Sequence, residues 1–299
     1  MDKIIKPIFE FILWDNCGND CKFCWQKKHY CPLSDEQKSV SIERVFDFIE
    51  SNRFVKGSHV LLVGGELFDT PKQGSSIHLF TLIDRIIGMM LVGDVDLFYI
   101  NTNLLYEDTS LLEKLLFKIE TTGLSDRLKF TTSYDIFGRF KKNVHGFGSG
   151  NSLWTKNMEA IRKNHPGINI VINTILTRQY CKLVTACPEL ELVGEFRKKY
   201  DSYVNLLPYV AVDNEFTPER NSVFKTLRIT EERNSGYLDG YIRNFDLPQE
   251  KLIYRYVNGG LVFSTSESAE CGHGINFSSY SGGSTCFICD IKELFNAGQ

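Results

Sequence analysis

Short apolar runs alternate with amphipathic helical stripes through the first 210 residues, and this alternation constrains the fold more than any other feature. Six runs have the length and composition of buried strands, and they cover residues 8–14, 59–63, 95–100, 128–134, 168–176 and 203–210. The stripe that follows the first run has apolar residues at i, i+3, i+4 and i+7, which is typical of a helix with one buried face. Its members are Ile42, Val45, Phe46 and Ile49. The sequence therefore predicts six strand-helix units.

Strands that alternate with helices pair in parallel through right-handed crossovers, so the sheet curls with its helices on the outside. Six units predict an α/β fold, a partial (β/α)6 TIM-like barrel, over residues 1–210. From Asp213 onward the alternation is lost, and the chain ends in a segment rich in Gly, Ser and Cys. We therefore expect residues 211–299 to form a small separate C-terminal module.

Charge and hydropathy exclude few function classes here. The formal net charge of -3 and the pI near 6.1 give no general attraction to phosphate backbones or anionic lipids, so nucleic acid is possible but not indicated. No stretch reaches the roughly 20 apolar residues that span a bilayer, and the first apolar run is not followed by a cleavage site. We expect a cytoplasmic protein without a membrane partner.

The nine cysteines are concentrated towards the two ends of the chain, which favours metal ligation over a disulfide framework. Cys17, Cys21 and Cys24 form a C-x3-C-x2-C pattern directly after the first strand. Thiolates are soft ligands that suit iron-sulfur clusters, and three of them bind three irons of a cubane and leave the fourth iron open. The alternative is a zinc knuckle, although zinc usually takes four ligands in paired spacing.

This loop resembles the signature of the radical S-adenosylmethionine (radical SAM) superfamily, including the aromatic Phe23 before the third cysteine. The resemblance implies a 4Fe-4S cluster on Cys17, Cys21 and Cys24 and S-adenosylmethionine as the second cofactor. It also implies reductive cleavage of that cofactor to a 5'-deoxyadenosyl radical, which abstracts hydrogen from a substrate. A flavodoxin or a ferredoxin is the expected electron donor.

The end of the second strand reads Gly64, Gly65, Glu66, which is similar to the family's GGE motif. In that motif the backbone and the carboxylate receive the ammonium group of the cofactor. Glycines allow a ligand to approach the backbone closely, and a carboxylate pairs with a cation. After the third strand, Asn103 is part of a partial match to the family's Thr-Asn-Gly, in which Leu104 replaces the glycine.

Three further polar residues belong to the fourth and fifth predicted strands. Ser133 and Asp135 resemble a Ser-Leu-Asp-Gly pattern of several subfamilies, again without the glycine, and the resemblance implies that Ser133 approaches the ribose. Asn173 lies where polar groups commonly meet the cofactor. The alternative for Asn103, Asp135 and Asn173 is a role in capping the ends of strands.

A second cysteine group, Cys271, Cys286 and Cys289, resembles a truncated SPASM or twitch extension, which implies a second 4Fe-4S cluster. The fourth ligand is open between Cys181, Cys187, His273 and the substrate itself. Zinc on the three cysteines and His273 satisfies the ligand number equally well, and unligated thiols are a third reading.

The reaction that follows hydrogen abstraction is open. An auxiliary cluster favours a peptide side chain or a small molecule that is oxidised, crosslinked or rearranged. A Gly-rich stretch with Arg139, Lys141 and Lys142 keeps a nucleotide or nucleic-acid base as an alternative substrate, although such charges usually lie in solvent. A non-catalytic iron-sulfur sensor or scaffold is the alternative of another class.

Overall fold

A computed structural model of the chain describes residues 8–19, 21–24, 33–51, 56–69, 74–139, 152–209, 215–240, 252–257 and 260–265. Its strands are β1 (Ile8–Ile12), β2 (Ser58–Val63), β3 (Val95–Thr102), β4 (Leu128–Ser133), β5 (Ile170–Leu176), β6 (Tyr203–Pro208), β7 (Leu252–Val257) and β8 (Gly260–Thr265). Its helices are α1 (Asp35–Ser51), α2 (Ser75–Val92), α3 (Ser110–Thr121), α4 (Ser152–Asn164), α5 (Arg178–Ala186), α6 (Leu192–Tyr200) and α7 (Arg220–Arg233).

All eight strands belong to one open sheet in the order β6-β5-β4-β3-β2-β1-β7-β8. The first six strands are parallel and follow one another in chain order, with helices between them. This arrangement confirms the predicted α/β fold class of the partial-barrel type. Because the strands are parallel, their carboxyl ends meet at one edge of the sheet, where ligands of such folds bind.

Two elements of the sheet differ from the prediction. β7 pairs in parallel with β1, and β8 returns antiparallel to β7, so part of the predicted C-terminal module extends the barrel sheet. The sequence carries a hairpin signal here, because Asn258 and Gly259 separate two runs rich in β-branched and aromatic residues. The boundary between residues 210 and 211 stays a prediction, and residues 266–299 lie outside the described residues.

The helical layer also contains an element that was not predicted, since two helices, α5 and α6, follow β5 where one was expected. α5 has nine residues and only three buried side chains, so its apolar stripe is short. Its first turn is fixed by Thr177, whose hydroxyl accepts a hydrogen bond from the backbone of Tyr180 at 3.2 Å.

The two faces of the sheet have different environments. Residues that face the helices, such as Phe11, Val60 and Phe98, have no exposed surface and form one continuous core. Residues of the opposite face, such as Glu10 and Asn173, keep part of their surface open. Burial of the helix-facing side stabilises the fold by about 25 cal/mol per Å² of apolar surface, and the opposite face is left available for a site.

One described helix, α2, passes a length-and-composition test for a membrane span, with half of its apolar window buried in the fold. Its buried side chains include Leu79, Leu82 and Ile86, which belong to the common core. A core helix of this kind is weak evidence for a membrane segment.

Candidate cofactor site

A cavity of about 720 Å³ opens at the carboxyl ends of the parallel strands. Its wall combines the loop after β1, the end of β2 and inward-facing residues of β3 to β6. Lining residues from the loop are Asp15, Cys17, Gly18, Asn19, Cys21, Phe23 and Cys24. Lining residues from the strands and their ends are Glu10, Ile12, Val63, Gly64, Gly65, Asn101, Thr102, Asn103, Ser133, Arg139, Asn173, Ile175 and Leu207.

The sulfurs of the cysteine loop already accept hydrogen bonds from nitrogen donors. The backbone N of Asn19 lies 3.4 Å from Cys17 Sγ, and its side-chain Nδ2 lies 3.2 Å from Cys21 Sγ. Asn103 Nδ2 approaches Cys17 Sγ from β3 at 3.4 Å. Donors aimed at sulfur are a feature of iron-sulfur sites, where they stabilise the negative charge on the thiolates.

A turn after β4 holds the far side of the cysteine loop. The backbone N of Lys22 donates to the carbonyl oxygen of Gly138 at 2.7 Å. Gly138 has φ of 84°, and a Cβ there would lie 2.6 Å from the ring of Phe23, so only glycine fits. The Phe23 ring in turn packs edge-on against Phe216, with centroids 5.9 Å apart. The aromatic residue of the motif is thus a packing anchor for the loop.

Burial raises the pKa of the Cys17 thiol and raises that of Cys21 to about 11, with Arg139 acting in the opposite direction on both. In the metal-free chain these thiols therefore keep their protons at neutral pH, and metal ligation must release them. Among the described residues, no three His, Cys, Asp or Glu side chains converge closely enough to bind a metal as they stand. The three sulfurs nevertheless line one cavity with aimed nitrogen donors, and this donor set fits a cubane.

Only glycine fits at the two positions after β2, because the backbone that leads into the cysteine loop passes directly against them. A Cβ on Gly65 would overlap the carbonyl oxygens of Asp15 and Asn16, and one on Gly64 would lie 2.8 Å from the Trp14 carbonyl oxygen. The backbone N of Gly65 donates to that same Trp14 oxygen at 2.8 Å. The glycines thus place the edge of β2 directly beside the cysteine loop, and both line the cavity.

Glu66 does not line the cavity, although the motif predicted a role for its carboxylate there. The side chain is 3% exposed, and its oxygens accept from Phe68 N at 3.1 Å, Thr102 Oγ1 at 2.8 Å and Asn103 N at 2.6 Å. Burial raises the pKa of Glu66 to about 7, and these three donors act in the opposite direction. Its carboxylate therefore fixes the end of β3 in this structure, and a direct contact with an ammonium group stays a prediction.

The end of β3 has an unusual backbone at Leu104, which adopts φ of 55° in the left-handed region. This is the position where the resembled motif has glycine, which adopts such angles without strain. Burial of the Leu104 side chain and a hydrogen bond of 3.1 Å from Asn157 Nδ2 to its carbonyl oxygen compensate for the strained angle. The turn directs the Asn103 side chain to the sulfur of Cys17.

Ser133 and Asn173 occupy paired register positions on β4 and β5, and both line the cavity. Asp135 does not line it. Its carboxylate accepts from Ile175 N at 2.7 Å and pairs with Arg139 Nε at 2.6 Å, so it acts on the cavity only through Arg139. The sequence favoured a solvated loop around Arg139 and kept a contact with an anionic group of the substrate as the alternative, whereas here its guanidinium pairs with Asp135.

No protein-family model matches the chain, and no curated protein matches it. Among solved structures, the chain is similar to native anSMEcpe with bound AdoMet and the Cp18Cys peptide, at 14% sequence identity and a TM-score of 0.47. That match covers 79% of this chain and 62% of the solved one.

Two related structures give similar values. Native anSMEcpe with bound AdoMet matches at 13% identity and a TM-score of 0.47, over 78% of this chain and 62% of that one. A histidine-tagged form of anSMEcpe with bound AdoMet matches at 13% sequence identity and a TM-score of 0.48, over 79% of this chain and 60% of that one. The chain thus spans less than two thirds of the length of these structures. A likeness at this identity and TM-score carries no inference about activity, substrate or partners.

Most of the residues that the sequence singled out around the cofactor meet at one cavity. The cavity is lined by Cys17, Cys21, Cys24, Phe23, Gly64, Gly65, Asn103, Ser133 and Asn173. The two carboxylates, Glu66 and Asp135, lie behind its wall and orient other residues. The C-terminal ligands Cys271, Cys286 and Cys289, together with His273, Lys141 and Lys142, lie outside the described residues.

Sequence reasoning missed several residues at the cavity, and three of them carried a signal that could have revealed them. Asn19 lies inside the cysteine motif, and its amide could have been read as a donor to the neighbouring sulfurs. Glu10 is a single charge in the middle of an otherwise apolar strand, a signal that it faces a polar space. Asn101 lies between buried residues of β3, so the two-residue period of the strand places its side chain on the face opposite the helices.

Proposed function

We propose that this chain is a radical SAM enzyme that binds a 4Fe-4S cluster through Cys17, Cys21 and Cys24. The observation that carries the proposal is the meeting of these three cysteines with the Gly64-Gly65 edge around one cavity at the carboxyl ends of the strands. Three thiolates leave one iron of a cubane open to a chelating ligand, and the cavity beside the cysteine loop, with a volume of about 720 Å³, gives room for it.

When bound, the cluster and S-adenosylmethionine supply an electron and a 5'-deoxyadenosyl radical that abstracts hydrogen from the substrate. The residues of the chain orient these groups. Asn19 and Asn103 donate to the ligating sulfurs, Ser133 and Asn173 offer hydrogen bonds across the cavity, and the packing of Phe23 closes one side against water.

The substrate that we propose is a peptide side chain or a small molecule with hydrogen-bonding groups. The cavity wall includes the polar Glu10 and Asn101 and the apolar Ile12 and Leu207, which together offer hydrogen-bonding groups and apolar contacts to a ligand. The pairing of Arg139 with Asp135 removes the main support for a nucleotide phosphate in this cavity. We also propose a cytoplasmic location and a flavodoxin or a ferredoxin as electron donor.

The test is anaerobic reconstitution of the whole chain, with measurement of iron, sulfide and the EPR spectrum of the reduced protein. We expect about four irons per cubane, an EPR signal that changes when S-adenosylmethionine is added, and formation of 5'-deoxyadenosine. The variant Cys17→Ala should lose the response of the EPR signal to S-adenosylmethionine and the formation of 5'-deoxyadenosine, whereas Cys187→Ala, which changes a cysteine at the end of α5, should keep both. A reduced signal that ignores S-adenosylmethionine would overturn the proposal.

A second metal site on Cys271, Cys286 and Cys289 is a separate proposal, supported by the spacing of the cysteines alone. It is tested in the variant in which Cys17, Cys21 and Cys24 are all alanine. About four irons retained in this variant would identify a second 4Fe-4S cluster, and about one zinc would identify a tetrahedral zinc site instead. If the variant retains neither iron nor zinc, the three C-terminal thiols bind no metal.

A further inference from the structure

A buried ion pair lies against the cysteine loop and has no part in the function proposed so far. Arg139 Nε is 2.6 Å from Asp135 Oδ2, and the two side chains are 14% and 3% exposed. The second oxygen of Asp135 accepts from the backbone N of Ile175 on β5 at 2.7 Å. The carboxylate is therefore fixed by the sheet, and it fixes the guanidinium.

The other end of the guanidinium faces the cysteine loop. Arg139 Nη1 lies 3.6 Å from Cys21 Sγ, and its central carbon lies 5.4 Å from the centre of the Phe23 ring. The carbonyl oxygen of the neighbouring Gly138 accepts the hydrogen bond from Lys22 N. The turn after β4 therefore contacts three successive residues of the cysteine loop, Cys21, Lys22 and Phe23. The cation thus lies between a fixed carboxylate and a predicted iron ligand.

A charge at this distance, shielded from water, interacts strongly with a cluster whose negative charge increases when it accepts an electron. A cation next to a ligating sulfur stabilises the reduced form, and a carboxylate next to it stabilises the oxidised form. The protein carries both charges, with the cation nearer to the sulfur.

We propose that Arg139 and Asp135 are positioning residues that hold Cys21 in place and together set the reduction potential of the cluster. This inference rests on the proposed cluster site. In the wild-type protein, Arg139 favours electron uptake by the cluster, and Asp135 orients Arg139 and limits its effect.

The two charges predict shifts of opposite sign, which a merely structural role would not produce. In EPR-monitored redox titrations of the reconstituted protein without S-adenosylmethionine, Arg139→Met should lower the potential, because the Asp135 carboxylate is left uncompensated. Asp135→Asn should raise it, because the amide still accepts from Ile175 N while the charge is lost. We expect each shift to reach a tenfold change in the one-electron equilibrium, which is about 59 mV.

Three further variants serve as controls. Arg139→Lys keeps the positive charge and should stay near the wild-type potential. The double variant Arg139→Met with Asp135→Asn removes both charges and should return towards it. Lys118→Met breaks a pair with Asp84 between α2 and α3, away from the cavity, and should leave the potential unchanged.

Equal potentials in wild type, Arg139→Met and Asp135→Asn, or shifts of the same sign in both, would overturn the inference and leave the proposed function intact. A wild-type protein that holds no cubane would overturn both. If Arg139→Met takes up no cluster, recovery of the cluster in the double variant supports the inference, because the harm then comes from the uncompensated carboxylate. Absence of the cluster from all variants at this pair counts against it.

Discussion

Gly65 has the closest backbone contact at its Cβ position among the described glycines, to the Asn16 carbonyl oxygen, so its missing Cβ lets the end of β2 contact the chain before the cysteine loop. We expect Gly65→Ala to lower the free energy of unfolding by about 1–3 kcal/mol, the usual range for overpacking, and to reduce iron uptake. Gly88→Ala is the matched control, since a Cβ at this position in α2 meets nothing within 4 Å. It should stabilise the protein by about 0.5–1 kcal/mol. Urea unfolding of the metal-free proteins measures both.

Glu66 makes the stability of the metal-free protein depend on pH. Burial raises its pKa from 4.5 to about 7, so the folded chain keeps a proton that the unfolded chain has lost over this range. Stability from this group is complete below about pH 4.5 and decreases as the pH rises to about 7, by roughly 3 kcal/mol. The stability difference between wild type and Glu66→Gln should therefore be more favourable to wild type at pH 5 than at pH 8. A difference that does not change with pH would contradict this assignment.

At this scale the sequence predicted which residues meet but not how they interact. Cys17 and Gly64 follow their strands and Ser133 ends its strand, and the carboxyl ends of parallel strands meet at one edge, so their proximity follows from the topology. The contacts of Glu66 and Asp135 depend on side-chain directions and on burial, which spacing along the chain does not specify. The pairing of Asp135 with Arg139 has the i, i+4 spacing of a local pair but lies in a turn.

At the scale of elements, His165 joins α3 to the turn after α4. Its Nδ1 lies 2.7 Å from a carboxylate oxygen of Glu120, its Nε2 lies 2.8 Å from one of Glu113, and the imidazole is 5% exposed. Both ring nitrogens therefore have an acidic partner on the same helix.

We expect His165→Ala to reduce the free energy of unfolding by about 1–3 kcal/mol, because Glu113 and Glu120 lose the imidazole that lies between them. Lys199→Ala, which breaks an exposed pair with Glu159, should cost at most about 0.5 kcal/mol. Chemical denaturation at constant pH measures the two effects. Equal losses for the two variants would show that the imidazole contributes no more than a surface pair.

Comparison of the predicted and observed helices shows which of them the sequence pattern alone could identify. α2 and α3 carry clear apolar stripes and agree with the prediction, because burial of one face imposes the helical period. α5 was missed because its nine residues hold too few apolar positions to reveal a period. It is stabilised instead by packing against α7, a long-range contact that local patterning does not contain.

At the scale of the whole molecule, the sheet continues beyond β1 through the pairing with β7. The residues of β1 from Ile8 to Phe11 pair on one side with β2 and on the other with β7. The first strand of the barrel is therefore an interior strand of the sheet. That interior position depends on β7, which lies within the residues that the sequence predicted to form a separate C-terminal module.

A chain that ends at Gly240 should leave one side of β1 unpaired, whereas a chain that ends at Thr265 keeps β7 and β8. We expect the shorter chain to self-associate and to lose protection of the β1 amides, because open strand edges recruit other strands. Light scattering and hydrogen exchange measure both properties. If the two chains behave identically, the pairing of β7 with β1 does not protect the edge of the barrel sheet.

The carboxamide of Asn157 also donates to the carbonyl oxygen of Tyr106 at 2.8 Å, so one side chain of α4 holds two carbonyl groups of the segment after β3. These partners are separated by more than 50 positions along the chain. The wall beside Cys17 is consequently not complete in a nascent chain until α4 has been synthesised and docked. A cluster at the proposed site would therefore meet an incomplete wall in any chain in which Asn157 has not yet docked.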